Sequence, residues 1–257
     1  VSNQSNQLVV IHNNLEKLLD TKREAMPSNF NKTRFLQNCM TVLQDTSGIE
    51  KCDATSVART MLKGAFLGLD FFNKECYAIV YGGQVQFQTD YKGEKKLAKK
   101  YSVRPVKDIY AKLVREGDSF KEWVKDGNQT IDFEPLPFND GKILGAFAVA
   151  QFEDGGMVYE VMSTADIEAT RKNYSKQADG KAWTKSPGEM YKKTVLRRLC
   201  KNIELDFDTI EQAQAFEESS DFDFSKEQKP QQQSPLNPNA TVVDAEFEEV
   251  GNEADQG

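Results

Sequence analysis

A chain of 257 residues, 39% hydrophobic and 28% charged, is long enough to bury a sizeable core, as one larger domain or two small ones. It holds no apolar run near about 18 residues and no charged-then-apolar leader, so nothing is expected to span or enter a membrane and a cytoplasmic protein is the expectation. The net charge of -7 arises from residue 221 onward, where nine acids face two lysines, and the body before it is neutral.

Residues 1–26 set Leu8, Ile11, Leu15, Leu18 and Leu19 at helical spacing, a short amphipathic segment that packs on its own body or on a neighbouring subunit. Pro27 and Ser28 break the pattern. A second helix over residues 31–44 carries Phe35, Leu36, Met40 and Leu43. Asp53 or Thr55 then starts a third, with Val57, Met61, Leu62, Ala65 and Phe66 inside and Gly68 as its stop.

Residues 77–81 and 84–88 are short β-rich runs separated by Gly82-Gly83, the signature of a tight hairpin. Pairing outward from Tyr81 opposite Gln84 puts Val80, Val85, Ala78 and Phe87 on one face, which reads as core. Tyr77, Ile79, Tyr81, Gln84, Gln86 and Gln88 take the other. Thr89 or Asp90 can cap the helix that follows. On its wheel Lys92, Lys95, Lys96, Lys99 and Lys100 fill one arc, and Glu94 falls outside it. A solvated face explains most lysine runs. Solvated faces mix charge signs, however, and ammonium groups one turn apart match the spacing of phosphates along a strand, so a polyphosphate track is the sharper reading.

Residues 103–115, a turn at 116–119 and residues 120–125 suggest a second antiparallel pair. A further turn leads into residues 130–136, which Pro135 and Pro137 push to an edge. Residues 143–152 form the most apolar strand, residues 157–162 follow, and a meander is the natural description. Ser163 or Thr164 caps a helix to about Tyr174, with Arg171 and Lys172 in its last turn. The polar loop over 175–188 holds Trp183 between Lys181 and Lys185. That tryptophan anchors the loop to the core, or stacks on a base.

A helix over residues 188–203 buries Tyr191, Val195, Leu196, Leu199, Cys200 and Ile203, and it sets Lys193, Arg197, Arg198 and Lys201 on its opposite side. Lys192 projects from the apolar arc, so it must snorkel outward or meet an anion. A short helix at 209–218 closes the body. Residues 92–125 hold eleven basic against five acidic residues, and residues 171–201 hold ten against two. A basic surface and an acidic tail able to compete for it follow. Residues 221–257 are expected to be disordered, and the stretch TVVDAEFEEVG can also dock a partner.

There is no GxxxxGK[ST] phosphate loop and no GxGxxG, so ATP hydrolysis and dinucleotide binding have no support. Cys39, Cys52, Cys76 and Cys200 lack CxxC spacing, and His12 is the single histidine. Zinc therefore lacks its ligand set, and buried reduced thiols are expected. Glu204, Asp206, Asp208 and Glu211 can hold Mg²⁺ for a nuclease, against helix-capping and surface roles.

The run YAIVYGGQVQFQTDYKGEKKLAKKY at residues 77–101, EGDSF at 116–120 and MYKKTVLRRLCK at 190–201 after a tryptophan loop stand in one order. Together they resemble the RecT family of phage recombinases across residues 27–205. The departures are small: Asp90-Tyr91-Lys92-Gly93 stands where the family commonly has GYKG, and Met190-Tyr191-Lys192-Lys193 where it has MAKK. The resemblance implies an α+β fold, an antiparallel sheet with helices packed around it. It implies an ATP-independent protein, not an enzyme, that binds single-stranded DNA and anneals complementary strands into a nascent duplex. Such proteins assemble as rings or helical filaments in the bacterial host cell. No cofactor is required, Mg²⁺ arriving only with DNA, and partners are a phage exonuclease and a host single-strand-binding protein. Residues 27–220 are then the annealing core. Gln86, Gln88, Tyr91, Lys92, Lys95, Lys96, Lys99, Lys100, Arg171, Lys172, Trp183, Lys185, Lys192, Lys193, Arg197, Arg198 and Lys201 are the expected DNA-binding residues. A Mg²⁺-dependent single-strand nuclease and a structural assembly protein with incidental DNA affinity are the competing readings.

Overall fold

The structure, a computed structural model, describes residues 2–125, 127–175 and 178–219. Three helices lead: α1 (Ser2–Thr21), α2 (Lys32–Gln44) and α3 (Ala54–Leu67). Asn31 and Asp53 cap the second and third, each side chain accepting a first-turn backbone N–H, from Arg34 and Ser56. Gly68 ends α3 at φ 64°, a left-handed position that glycine adopts without steric cost. Ile11, Leu15 and Leu19 of α1 enter the same core as Val57, Met61 and Ala65 of α3.

Strands β1 (Cys76–Tyr81) and β2 (Gln84–Thr89) form the expected hairpin. Gly82 and Gly83 sit at φ 56° and 81°, the two positive values of a type I′ turn. The register runs Tyr81↔Gln84, Val80↔Val85 and Ala78↔Phe87, and Ala78, Val85 and Phe87 are buried against the helical core. Helix α4 (Tyr91–Tyr101) follows at once, capped by Asp90, whose carboxylate accepts from Lys92 N. Gly93 is required there, because a side chain would collide with the Glu75 carbonyl.

The second half contains β3 (Val106–Arg115), β4 (Ser119–Lys125), β5 (Asn128–Glu134), β6 (Ile143–Phe152) and β7 (Met157–Ser163). Helices α5 (Thr164–Tyr174), α6 (Lys181–Lys185), α7 (Pro187–Asn202) and α8 (Ile210–Glu217) complete the described residues. The fold is α+β, as expected, but the meander is corrected. β3 pairs with β6 rather than β4, giving an antiparallel sheet in the order β3-β6-β7, and β4 and β5 form a separate hairpin.

The turn after β3 explains this topology. Asp118 accepts from Arg115 N, Leu136 N and Asn139 Nδ2, and Glu116 N donates to Lys142 O. These bonds tie both ends of the β4–β5 hairpin to the beginning of β6. The hairpin then lies over the sheet, with Phe120, Ile131 and Phe133 on Phe147 and Val149. Alternation along β6 places Ala146, Ala148 and Ala150 on the other face, where small side chains let Val195 and Leu199 of α7 pack closely.

Two further expectations change. The loop over 175–188 contains α6, with Trp183 inside it, and the four residues LDFD are an extended strip rather than an acid cluster. Val103 N donates to Glu204 O and Asp206 N to Tyr101 O, and the Phe207 ring lies 4.8 Å from that of Tyr101. Glu211 pairs with Lys22 at 3.1 Å. All four cysteines are free and buried, and burial raises the Cys39, Cys76 and Cys200 thiols far above their ordinary range. No helix of the described residues is long and apolar enough to cross a membrane. The acidic tail expected from residue 221 lies outside the described residues.

Candidate functional site

The hairpin and α4 are joined by a single residue, Asp90, so the outer hairpin face and the first turn of α4 are held in fixed relation. Helix α7, about 100 residues later, packs directly against α4. Two adjoining clefts lie along this junction. One, of about 380 Å³, is lined by Tyr77, Ile79, Tyr81 and Gln88 of the hairpin and by Trp183, Met190 and Lys193. The other, of about 210 Å³, is lined by Tyr91 and Lys95 of α4, Tyr110 of β3, and Glu189, Lys192 and Lys193 of α7. Lys193 borders both.

Of the expected residues, the structure therefore brings Tyr91, Lys95, Lys192 and Lys193 to one cleft, and Gln88 and Trp183 to its neighbour. Of the two alternatives for Lys192, the anion is present: its ammonium meets Glu189 Oε1 at 2.6 Å. Lys193 stands 3.5 Å from Asp90 Oδ2. Lys92 is exposed one turn before Lys95, and neither makes an ion pair with another described residue. Tyr77, bordering the hairpin cleft, has its hydroxyl pushed up to about 12 by burial and by Asp90.

The rest of the lysine arc is divided. Lys96 reaches the other way, to Glu75 Oε2 at 2.8 Å and Gly68 O at 2.9 Å, and Lys99 pairs with Asp108 at 3.2 Å. Lys96 and Lys100 border a third cleft, of about 280 Å³, together with Arg34, Phe30 and Phe35. Burial lowers the Lys100 pKa, partly countered by Asp208. The single arc seen on the wheel is two surfaces in space, because α4 meets α7 on one side and the segment 68–75 that follows α3 on another.

Several placements need correction. Arg197 was expected on the polar side of its helix, and it is buried, 2% exposed, with Nε 2.8 Å from Glu94 Oε1. The wheel misplaced it because α7 is covered on two sides, by the sheet and by α4. Trp183 is 4% exposed, with the Arg171 guanidinium 5.3 Å from its ring centre, so the anchoring alternative is the one the packing satisfies. Arg171 itself is engaged by Glu168 and Asp179. Gln88 is buried and donates to the Tyr81 hydroxyl at 3.4 Å, whereas Gln86 is half-exposed. Arg198 pairs with Glu160 of β7 at 2.9 Å, and Lys172, Lys185 and Lys201 are exposed outside both clefts.

Sequence reasoning missed Tyr110, Glu189 and Met190. Tyr77, Ile79 and Tyr81 were legible as the outer hairpin face, but nothing local said that α7 would stand opposite them.

A family model described as RecT family matches residues 33–231. The chain belongs to the RecT family. It is similar to Protein RecT of Escherichia coli (strain K12), 28% identical over 190 residues, which covers 70% of this chain and 69% of that protein. It is also 28% identical over 167 residues to the uncharacterized protein YqaK of Bacillus subtilis (strain 168), covering 64% of this chain and 57% of that one. The matched stretch contains the hairpin, α4, α7 and both clefts of this RecT-family chain. The α1 helix, which shares a core with the hairpin and α4, lies before it.

Proposed function

We propose that this chain binds single-stranded DNA and anneals complementary strands in recombination, without ATP and as an oligomer. The observation that carries this reading is the convergence of Lys95, Lys192 and Lys193 with Tyr91 and Tyr110 on one cleft. Cations that neutralise phosphates supply sequence-independent affinity, and aromatic faces hold bases without selecting among them. Lys92 extends the track along α4, and Gln86 and Tyr81 border the place where sugars and base edges lie.

The chemistry is organisational. Neutralising successive phosphates lowers the repulsion between two strands, and an extended strand loses the hairpins that obstruct its complement. The bound strand must present its pairing edges outward, which a backbone-directed cation track permits. Mg²⁺ enters only with DNA. A phage exonuclease that supplies single strands and a host single-strand-binding protein are partners within the same proposal.

The test mixes two complementary fluorophore- and quencher-labelled oligonucleotides with the protein and no nucleotide cofactor. Quenching well above the spontaneous rate, with strands of unchanged length, is the expected result. Spontaneous-rate annealing would leave only an assembly protein, and shortened strands in Mg²⁺ would indicate a nuclease.

A further inference from the structure

The turn linking β5 to β6 presents an unusual side chain. Phe138 has φ 55° and its ring is fully exposed, 103% of its reference area. A bulky residue in the left-handed region is strained, and such strain persists only where the surroundings over-determine it. Here they do. Asn139 Nδ2 donates to Asp118 Oδ1 at 2.7 Å and to Glu116 O at 3.1 Å, Asn139 Oδ1 accepts from Gly141 N, and the Arg115 guanidinium donates to Gly141 O at 2.6 Å. Four bonds hold a loop whose product is an outward aromatic ring, with Leu136 beside it half in solvent.

The surroundings of this ring select its partner. Its loop and the turn bonded to it expose Glu116, Glu134 and Asp140 against one exposed lysine, Lys142, an acidic balance that disfavours a phosphate chain. An acid-flanked aromatic fits a basic, aromatic-lined recess. The third cleft is one: Phe30 and Phe35 line it together with three cations, Arg34, Lys96 and Lys100, against one acid, Asp70. Arg34 is 67% exposed and only 3.7 Å from Asp70 Oδ2, a loose pairing that a closer carboxylate can replace.

The two surfaces cannot meet within one chain. The cleft lies beside the end of α4, just before β3 begins, and the Phe138 loop is bonded to Arg115, where β3 ends. That strand spans about 30 Å. A contact between them is therefore head-to-tail, and it repeats from copy to copy unless the rotation closes a ring.

We propose that the Phe138 loop of one copy docks into the Arg34–Lys96–Lys100 cleft of the next, forming the repeating contact of the oligomer. This rests on the oligomeric part of the proposed function and supplies its surface. Docking also withdraws Lys96 and Lys100 from DNA, leaving the strand to the α4–α7 cleft.

The experiment compares Phe138→Gly, Phe138→Asp and Arg34→Glu with the unaltered chain by sedimentation velocity, alone and with an 80-nucleotide oligothymidine. Phe138→Gly relieves the backbone strain, so it should melt no lower than the parent while losing assembly, which separates docking from folding. Phe138→Asp and Arg34→Glu should each be monomeric, and their mixture should stop at dimers, because only one loop and one cleft remain intact. Anisotropy with a short oligothymidine reads DNA binding apart from assembly. Unchanged short-strand affinity with lost assembly is expected. Assembly of Phe138→Gly equal to the parent overturns the proposal, as does a parent that stays monomeric. A variant that assembles normally but loses short-strand affinity also overturns it, making Phe138 a base-stacking residue. A parent that assembles through this contact but does not bind DNA would sink the annealing reading alone.

Discussion

Arg197 Nε donates to Glu94 Oε1 at 2.8 Å, with both side chains almost wholly buried, and this contact joins α4 to α7 across 103 residues of sequence. Thr89, the last residue of the hairpin, donates to the same carboxylate oxygen. Hairpin, lysine helix and second basic helix thus share one buried polar joint, and the clefts beside it inherit its geometry. Replacing either partner alone strands a buried charge. Arg197→Met should cost about 3–5 kcal/mol in denaturant unfolding, and a paired apolar replacement of both residues should recover most of it. A parental stability for Arg197→Met would show that the joint is not structural.

Lys95 and Lys192 come from different helices and face the same cleft. Neutralising both should weaken single-strand binding alike for every base composition. The logarithmic salt slope should fall by about 0.7 per lost phosphate contact. Titrations at several salt concentrations read both quantities, and an unchanged slope would remove these lysines from the track.

Lys99 is held by Asp108, which also accepts from Ile109 N. DNA reaching Lys99 must first displace that carboxylate. Asp108→Asn should therefore tighten single-strand binding by about two- to five-fold at low salt, the range of an exposed ion pair. Weaker binding would mean that Lys99 already serves DNA through this arrangement.

The chain has two tryptophans, and they occupy opposite environments: Trp183 is buried beside Tyr191, and Trp123 is 40% exposed on β4. In a Trp123→Phe variant, the remaining emission should be blue-shifted and indifferent to added oligothymidine. Trp183→Ala should lose about 3–5 kcal/mol of stability through the cavity it leaves. Strong quenching of Trp183 by DNA would restore the stacking reading.

Asp118 is held below the ordinary carboxylate value of 3.8, first by the Asn139 side chain and then by the backbone N–H groups of Arg115 and Leu136. Because its pKa is depressed on folding, its stabilising contribution is complete above that value and is lost as pH falls through the lower native one. The β4–β5 hairpin should loosen in that acidic window, seen as faster amide exchange at Leu136. Asp118→Asn should flatten that dependence. An unaltered acid profile would place the titration elsewhere.

The sequence by itself determined the local pieces. Gly82-Gly83 set the hairpin register, Gly68 ended α3, the starts of α3 and α4 were narrowed to Asp53 or Thr55 and to Thr89 or Asp90, and the apolar run of β6 marked a buried strand, since each depends on neighbours in the chain. Only the tertiary structure decided which faces survived as surface. A helical wheel assumes one covered side, but α4 is covered both by α7 and by the segment 68–75 that follows α3, so its lysines part between two clefts. Helix α7 lies between the sheet and α4, so Arg197 becomes the buried partner of Glu94. The pairing of β3 with β6 rested likewise on the Asp118 bonds to Leu136 and Asn139, contacts between residues too far apart for any local pattern to record.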